Sequence, residues 1–188
     1  MTTQKNIEAG GDVAGGNITK PVYNFHGDDS AIFAHPFFEL VKALQAGIEI
    51  DIEEQMEDLH HFSGILRSDQ RGLERKLVET NRGYLVSSAE RLKSKAFRLI
   101  AKHQDSPAFE YLIAKILARI EVTYNHIICP MIQNDATIQE VDAAILREVI
   151  EPIQRLLVGT PLGANNDCVI QLFYFLAGNC HICWDKKC

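Results

Sequence analysis

The chain lacks any apolar run near the roughly 18 residues that a membrane span needs, and residues 1–16 show no charged stretch followed by an apolar one. Neither a transmembrane anchor nor a secretory leader is expected, and the reading is a cytoplasmic protein with no membrane partner. It also lacks a basic excess. A net charge of -6 at pH 7 removes any global attraction to DNA or to an anionic bilayer, so nucleic-acid contact must be local or indirect. Cysteine is sparse, five in 188 residues. The number is odd and a chain of this size needs no staples, so thiols are expected and not a disulfide framework.

Catalytic signatures are missing as well. The glycines at 10, 11, 15 and 16 are followed by neither Lys-Ser nor Lys-Thr, and no helix begins behind them, which argues against a phosphate loop. No nucleophile elbow and no HExxH helix occur. The expectation is that the chain is not an enzyme and assembles with other proteins.

What is present is an apolar fraction of 46%, enough for one sizeable core, and a change of period along the chain. Residues 1–35 form a glycine-rich segment in which Ile7, Val13, Ile18 and Val22 recur between turn-forming Gly, Asp and Asn. That pattern suits very short strands or disorder, and such strands need copies of themselves or a partner to pair with. Homo-oligomerisation through these four residues is the expectation.

Residues 36–188 read as a mainly α, compact bundle of about six helices with an extended C-terminal tail. A short one, PFFELVKAL, is ended by Gly47, and a second covers about 48–62, with Ile52, Met56, Leu59 and Phe62 on one face. After Gly72 and Gly83, residues 84–103 place Leu85, Ala89, Leu92, Ala96 and Leu99 on an apolar stripe and Arg91, Lys95, Arg98 and Lys102 on a basic one. Ser106-Pro107 caps and opens a long helix expected to end before Pro130 and to be the central one. Thr137 and Glu140 make a capping box; the face that follows runs Ile138, Val141, Ile145, Val149, Ile153 and Leu156, with a kink or restart at Pro152. Asn166 or Asp167 should cap the last helix, and Gly178 is expected to take the left-handed position that ends it.

Three stretches, QKNIEAGGDVAGGNIT, NHIICPMI and FYFLAGNCHICW, resemble the C-terminal domain of bacterial ABC-three-component defence systems, the group that includes Lamassu. The ending, Gly178-Asn179-Cys180-His181-Ile182 with Trp184, carries the likeness best. The resemblance implies an assembly role beside an SMC-like ABC ATPase that senses foreign DNA, a bridging component and an effector. No catalytic domain precedes the helical module here, which suggests a stand-alone subunit or an effector on another chain. The family's ending commonly has a basic residue where Cys183 stands, which counts against a shared metal role for it.

Candidate chemistry is limited to small clusters. Cys180, His181, Cys183 and Cys188 place three sulfurs and an imidazole within nine residues, so a zinc site or a thiol-redox regulator is the alternative function. No second CxxC exists and the motif follows a helix, so packing of Cys180 and Trp184 against the bundle is the favoured reading and no cofactor is expected. Glu57 and His60 form an ExxH pair, but a di-iron bundle needs a second, and Glu121 and His126 are five apart. The basic stripe on residues 91–102 reads as a solvated face that could meet an acidic partner, including the acidic helix from Glu49 to Asp58.

Overall fold

The computed structural model describes residues 61–62, 71–104, 106–158, 162–163 and 167–186. Helix accounts for 78% of this region and no strand occurs among the described residues, so the mainly α expectation holds there. The residue-35 boundary, the strands at Ile7 to Val22 and nearly all of the helix over 48–62 lie outside it.

Five continuous helical rods are present among the described residues. Rod one is α1 (Leu73–Glu79), and rod two is α2 (Val86–Lys102), entered through a 3-10 turn at Gly83–Leu85. Rod three begins with α3 (Pro107–Thr123), passes through a π-helical segment (Tyr124–Ile128) and ends as α4 (Cys129–Gln133). Rod four repeats that plan, with α5 (Ile138–Ala144), a π segment (Ile145–Ile150) and α6 (Glu151–Leu157). The last is α7 (Cys168–Gly178).

Two of the three predicted N-caps form through side-chain hydrogen bonds. The Ser106 side chain accepts from the Phe109 N–H with proline in the first turn, and Thr137 and Glu140 make the reciprocal pair of a capping box. At α7, Asp167 takes the N-cap position, but its side chain does not cap the helix.

The predicted stop before Pro130 is wrong, and the reason is local. In a regular helix a proline ring collides with the carbonyl four residues back and removes a donor. Here the residue before each proline donates five residues back instead of four, Cys129 N–H to Tyr124 O and Glu151 N–H to Leu146 O. The wider π turn makes room for Pro130 and Pro152, so both rods continue through them. An extra residue per turn also shifts the buried stripe. Tyr124, Ile128 and Ile132 are buried at intervals of four while Ile127 is exposed, and in rod four the stripe ends on Leu157 where a regular period placed Leu156.

The centre is α7, and the expectation that α3 fills that place is corrected. Every residue from Gln171 to Ala177 is buried, whereas α3 exposes Lys115, Arg119 and Val122. α2 packs along α7 more extensively than any other described pair of elements. The close approach is visible at Gly178, where a Cβ would lie 2.6 Å from Lys93 Cε.

Gly178 is the last helical residue and not the left-handed one. Three rods end on a non-glycine residue at positive φ: Asn81 (58°), Asp135 (60°) and Cys180 (68°). In each case the next N–H reaches back five residues, Arg82 to Leu77 O, Ala136 to Met131 O and His181 to Leu176 O, while the left-handed residue itself bonds three back. This is the paired bonding of a Schellman cap, which satisfies the last helical carbonyls.

Candidate functional site

The candidate region lies where the tail, residues 179–186, folds back over the helix ends. The Schellman turn at Cys180 reverses the chain, and the tail is then held by side chains from two rods and by Arg71, which precedes α1. Lys76, fully buried on α1, donates through Nζ to Ala177 O and Ile182 O, both at 2.9 Å. It thereby serves as a donor at the negative end of the α7 dipole. Tyr124 in the first π segment donates its hydroxyl to Cys183 O, and burial pushes that phenol's pKa well up, helped by the nearby Cys129 thiol. Arg71 grips Asp185 with two nitrogens at 2.6 and 3.1 Å.

Trp184 is buried against Phe173 and Tyr174, with ring centroids 5.9 and 6.4 Å away, and the Arg82 guanidinium lies 6.0 Å from its ring. Arg82 is itself buried, donating to Asp142 Oδ1 at 2.9 Å and to Thr80 O at 3.1 Å. Beside the indole opens a cleft of about 240 Å³ lined by Tyr84, Leu85, Ile145, Leu146, Ile170 and Trp184 among others. That volume falls below the roughly 300–1,000 Å³ of small-molecule pockets. Tyr84 and Leu146 stand exposed at its rim, 73% and 49% accessible.

The cysteines are dispersed in role. Cys180 is half-buried and its thiol contacts Arg71 O at 3.6 Å, while Cys183 is buried and disulfide-bonded, which corrects the expectation of thiols at that position. Cys188 lies outside the described residues. His181 points the other way, its Nδ1 2.9 Å from Glu121 Oε1 on α3. His61 joins that pair: its ring and that of His181 meet edge-on with centroids 5.2 Å apart, and one ligand atom from each of His61, Glu121 and His181 lies within 4.8 Å of the others. Phe62 meets the His61 ring edge-on and lies tilted against the His181 ring, and its carbonyl accepts from Asn179 Nδ2 at 3.1 Å. Sequence spacing cannot find this cluster, because its members come from three separate parts of the chain.

Of the basic stripe, Arg91, Arg98 and Lys102 are exposed and Lys95 half-buried, and none has an ion pair among the described residues. Arg98 donates only to Ser94 O, one turn back. Glu57 and His60 lie outside the described residues.

Residues 72–184 match the family described as C-terminal domain 9 of the ABC-three component (ABC-3C) systems. The chain belongs to that family. No curated protein and no solved structure matches it. Membership gives this domain a role in an anti-phage ABC-three-component complex, with partner proteins of the same system. The matched span runs from the start of α1 to Trp184, so the Lys76 and Tyr124 anchors of the tail fall inside the family domain, while Arg71, Asp185 and His61 fall outside it.

Proposed function

We propose that this chain is a non-enzymatic assembly subunit of a Lamassu-like ABC-three-component complex, docking on its SMC-like ABC ATPase or effector. The observation that carries the docking role is the apolar cleft beside Trp184. Its rim presents Tyr84 and Leu146 to solvent, and its volume suits an inserted apolar side chain of a partner better than a free metabolite. A rigid aromatic floor, fixed by Arg82 and the tail, supplies the preorganisation that a docking pocket needs.

The glycine-rich segment with Ile7, Val13, Ile18 and Val22 supplies homo-oligomerisation in this reading, supported by its strand-and-turn composition. The Arg91, Lys95, Arg98 and Lys102 face adds electrostatic steering toward an acidic partner, and nucleic acid is met only through the rest of the complex. A cytoplasmic setting agrees with helices among the described residues that are too short or too polar to cross a membrane.

The test is co-expression with the ATPase and remaining component of the chain's own system. Leu146→Glu and Tyr84→Ala should each weaken co-purification at least tenfold while circular dichroism and the melting temperature stay unchanged. Undiminished complex formation by both variants would reject the cleft as the docking surface. Deleting residues 1–30 should lower the mass seen by light scattering, and an unchanged mass would reject the self-association role.

A further inference from the structure

We propose that His61, Glu121 and His181 together bind one divalent transition-metal ion, with zinc as the fitting occupant. Two imidazoles and one carboxylate are a borderline-soft donor set of the kind zinc takes in three-ligand sites, where a fourth position stays open for water or another ligand. The geometry is close to what is required. Bonds of about 2.0–2.1 Å in a tetrahedral arrangement set neighbouring ligand atoms about 3.4 Å apart. His181 Nδ1 and Glu121 Oε1 stand at 2.9 Å, and all three ligand atoms fall within 4.8 Å.

Binding therefore replaces the hydrogen bond between His181 Nδ1 and Glu121 Oε1 with bonds to the ion, its proton passing to solvent, widens that pair by a few tenths of an ångström and draws His61 inward. The burial pattern permits this. The His181 side chain is 0% exposed and Glu121 21%, so two ligands are held by the fold, while His61 is exposed and can rotate to close the site. The exposed side also gives the ion a route in from solvent. Phe62 and His61 wall the site with rings, and the Cys180 turn that fixes His181 is a backbone feature independent of the metal.

Such an ion ties the segment carrying His61 to α3 and to the tail, so metal binding acts as a fold-locking contact. This inference stands apart from the docking reading, since one ligand lies outside the family domain and none lines the cleft.

The experiment uses full-length protein without a histidine tag, stripped with chelator and titrated with Zn²⁺ and, separately, Co²⁺. One equivalent should bind, and zinc at a hundredfold excess over Kd should raise the melting temperature by about 5–10 °C. His61→Ala, at an exposed position that leaves folding intact, and Glu121→Gln should each weaken binding at least tenfold, while Cys180→Ser leaves it unchanged. The Co²⁺ spectrum should show ligand-field bands without sulfur-to-metal charge transfer. Absence of binding, binding that survives in both His61→Ala and Glu121→Gln, or a thiolate band abolished by Cys180→Ser would overturn the proposal.

Discussion

Replacing Lys76 by methionine tests whether a single buried side chain holds the tail against the helices. Methionine matches the length and apolar stem of lysine, so packing at α1 is kept and the perturbation is the loss of Nζ. Two carbonyls, Ala177 O and Ile182 O, each lose a donor at 2.9 Å. A buried polar group left unpaired costs about 1–3 kcal/mol, which Ile182 O incurs, whereas Ala177 O keeps the Cys180 N–H at 3.4 Å and loses only its second bond, worth about 0.5–1.5 kcal/mol, so the two together give about 1.5–4.5 kcal/mol. Against this stands the relief of removing an ammonium group from a fully buried position, which returns part of that sum. The net expectation is a destabilisation of about 1–3 kcal/mol, or roughly 2–12 °C in melting temperature for a chain of this size. Urea denaturation gives the free energy, and amide exchange gives the location, since protection should fall most at residues 179–184. A change below about 0.5 kcal/mol with undiminished tail protection would falsify the reasoning, because it would mean that the carbonyls find other partners without cost.

Truncating Trp184 to alanine should cost about 3–5 kcal/mol by equilibrium unfolding, since it empties the contact with Phe173, Tyr174 and Arg82. Gly178→Ala should be neutral to stabilising by up to about 1 kcal/mol, because the helical residue gains propensity and the added Cβ meets only the movable end of Lys93; a loss above about 1 kcal/mol would instead indicate a left-handed glycine. Burial raises the Cys168 thiol from 9.0 to about 11. The folded state therefore holds this proton more tightly, so its stabilisation is complete below about pH 9 and is lost as pH rises toward 11, a change of about 2–3 kcal/mol that Cys168→Ala should remove from the alkaline limb of the stability profile. Thr137→Ala should cost about 1 kcal/mol through the lost cap, and the difference between wild type and variant should shrink in acid as Glu140, whose carboxyl is held below its usual range by its bonds to Thr137, becomes protonated.

Helix type and helix starts were legible in the sequence because they are written locally. Ser106-Pro107 and Thr137 with Glu140 each declare a cap within four residues, and the structure places both where the motifs stand. Helix ends were read less well. Pro130 signals a stop in any local rule, and only the i to i+5 bond at Cys129 shows how the rod passes it. The left-handed residues Asn81, Asp135 and Cys180 were missed because glycine is the usual marker, and Gly178 drew the assignment two residues early. Centrality is not legible between α3 and α7 for a related reason: α3 is longer and its apolar arc wide, but only packing shows that α7 is covered on every side. The candidate site was legible only in part. Trp184 and the CxxC ending stood out as features, whereas the buried donor Lys76, the Arg82 to Asp142 pair and the His61, Glu121, His181 cluster join residues that no window of sequence contains together.

The central claim is that this chain works by docking within its own ABC-three-component system. Its most direct test is size-exclusion chromatography with light scattering on the purified chain mixed with the ATPase and remaining component of that system. The account predicts a defined complex that wild-type protein forms and Leu146→Glu does not, with both proteins equally folded. A chain that elutes alone in either form, or a complex indifferent to Leu146→Glu, would contradict it.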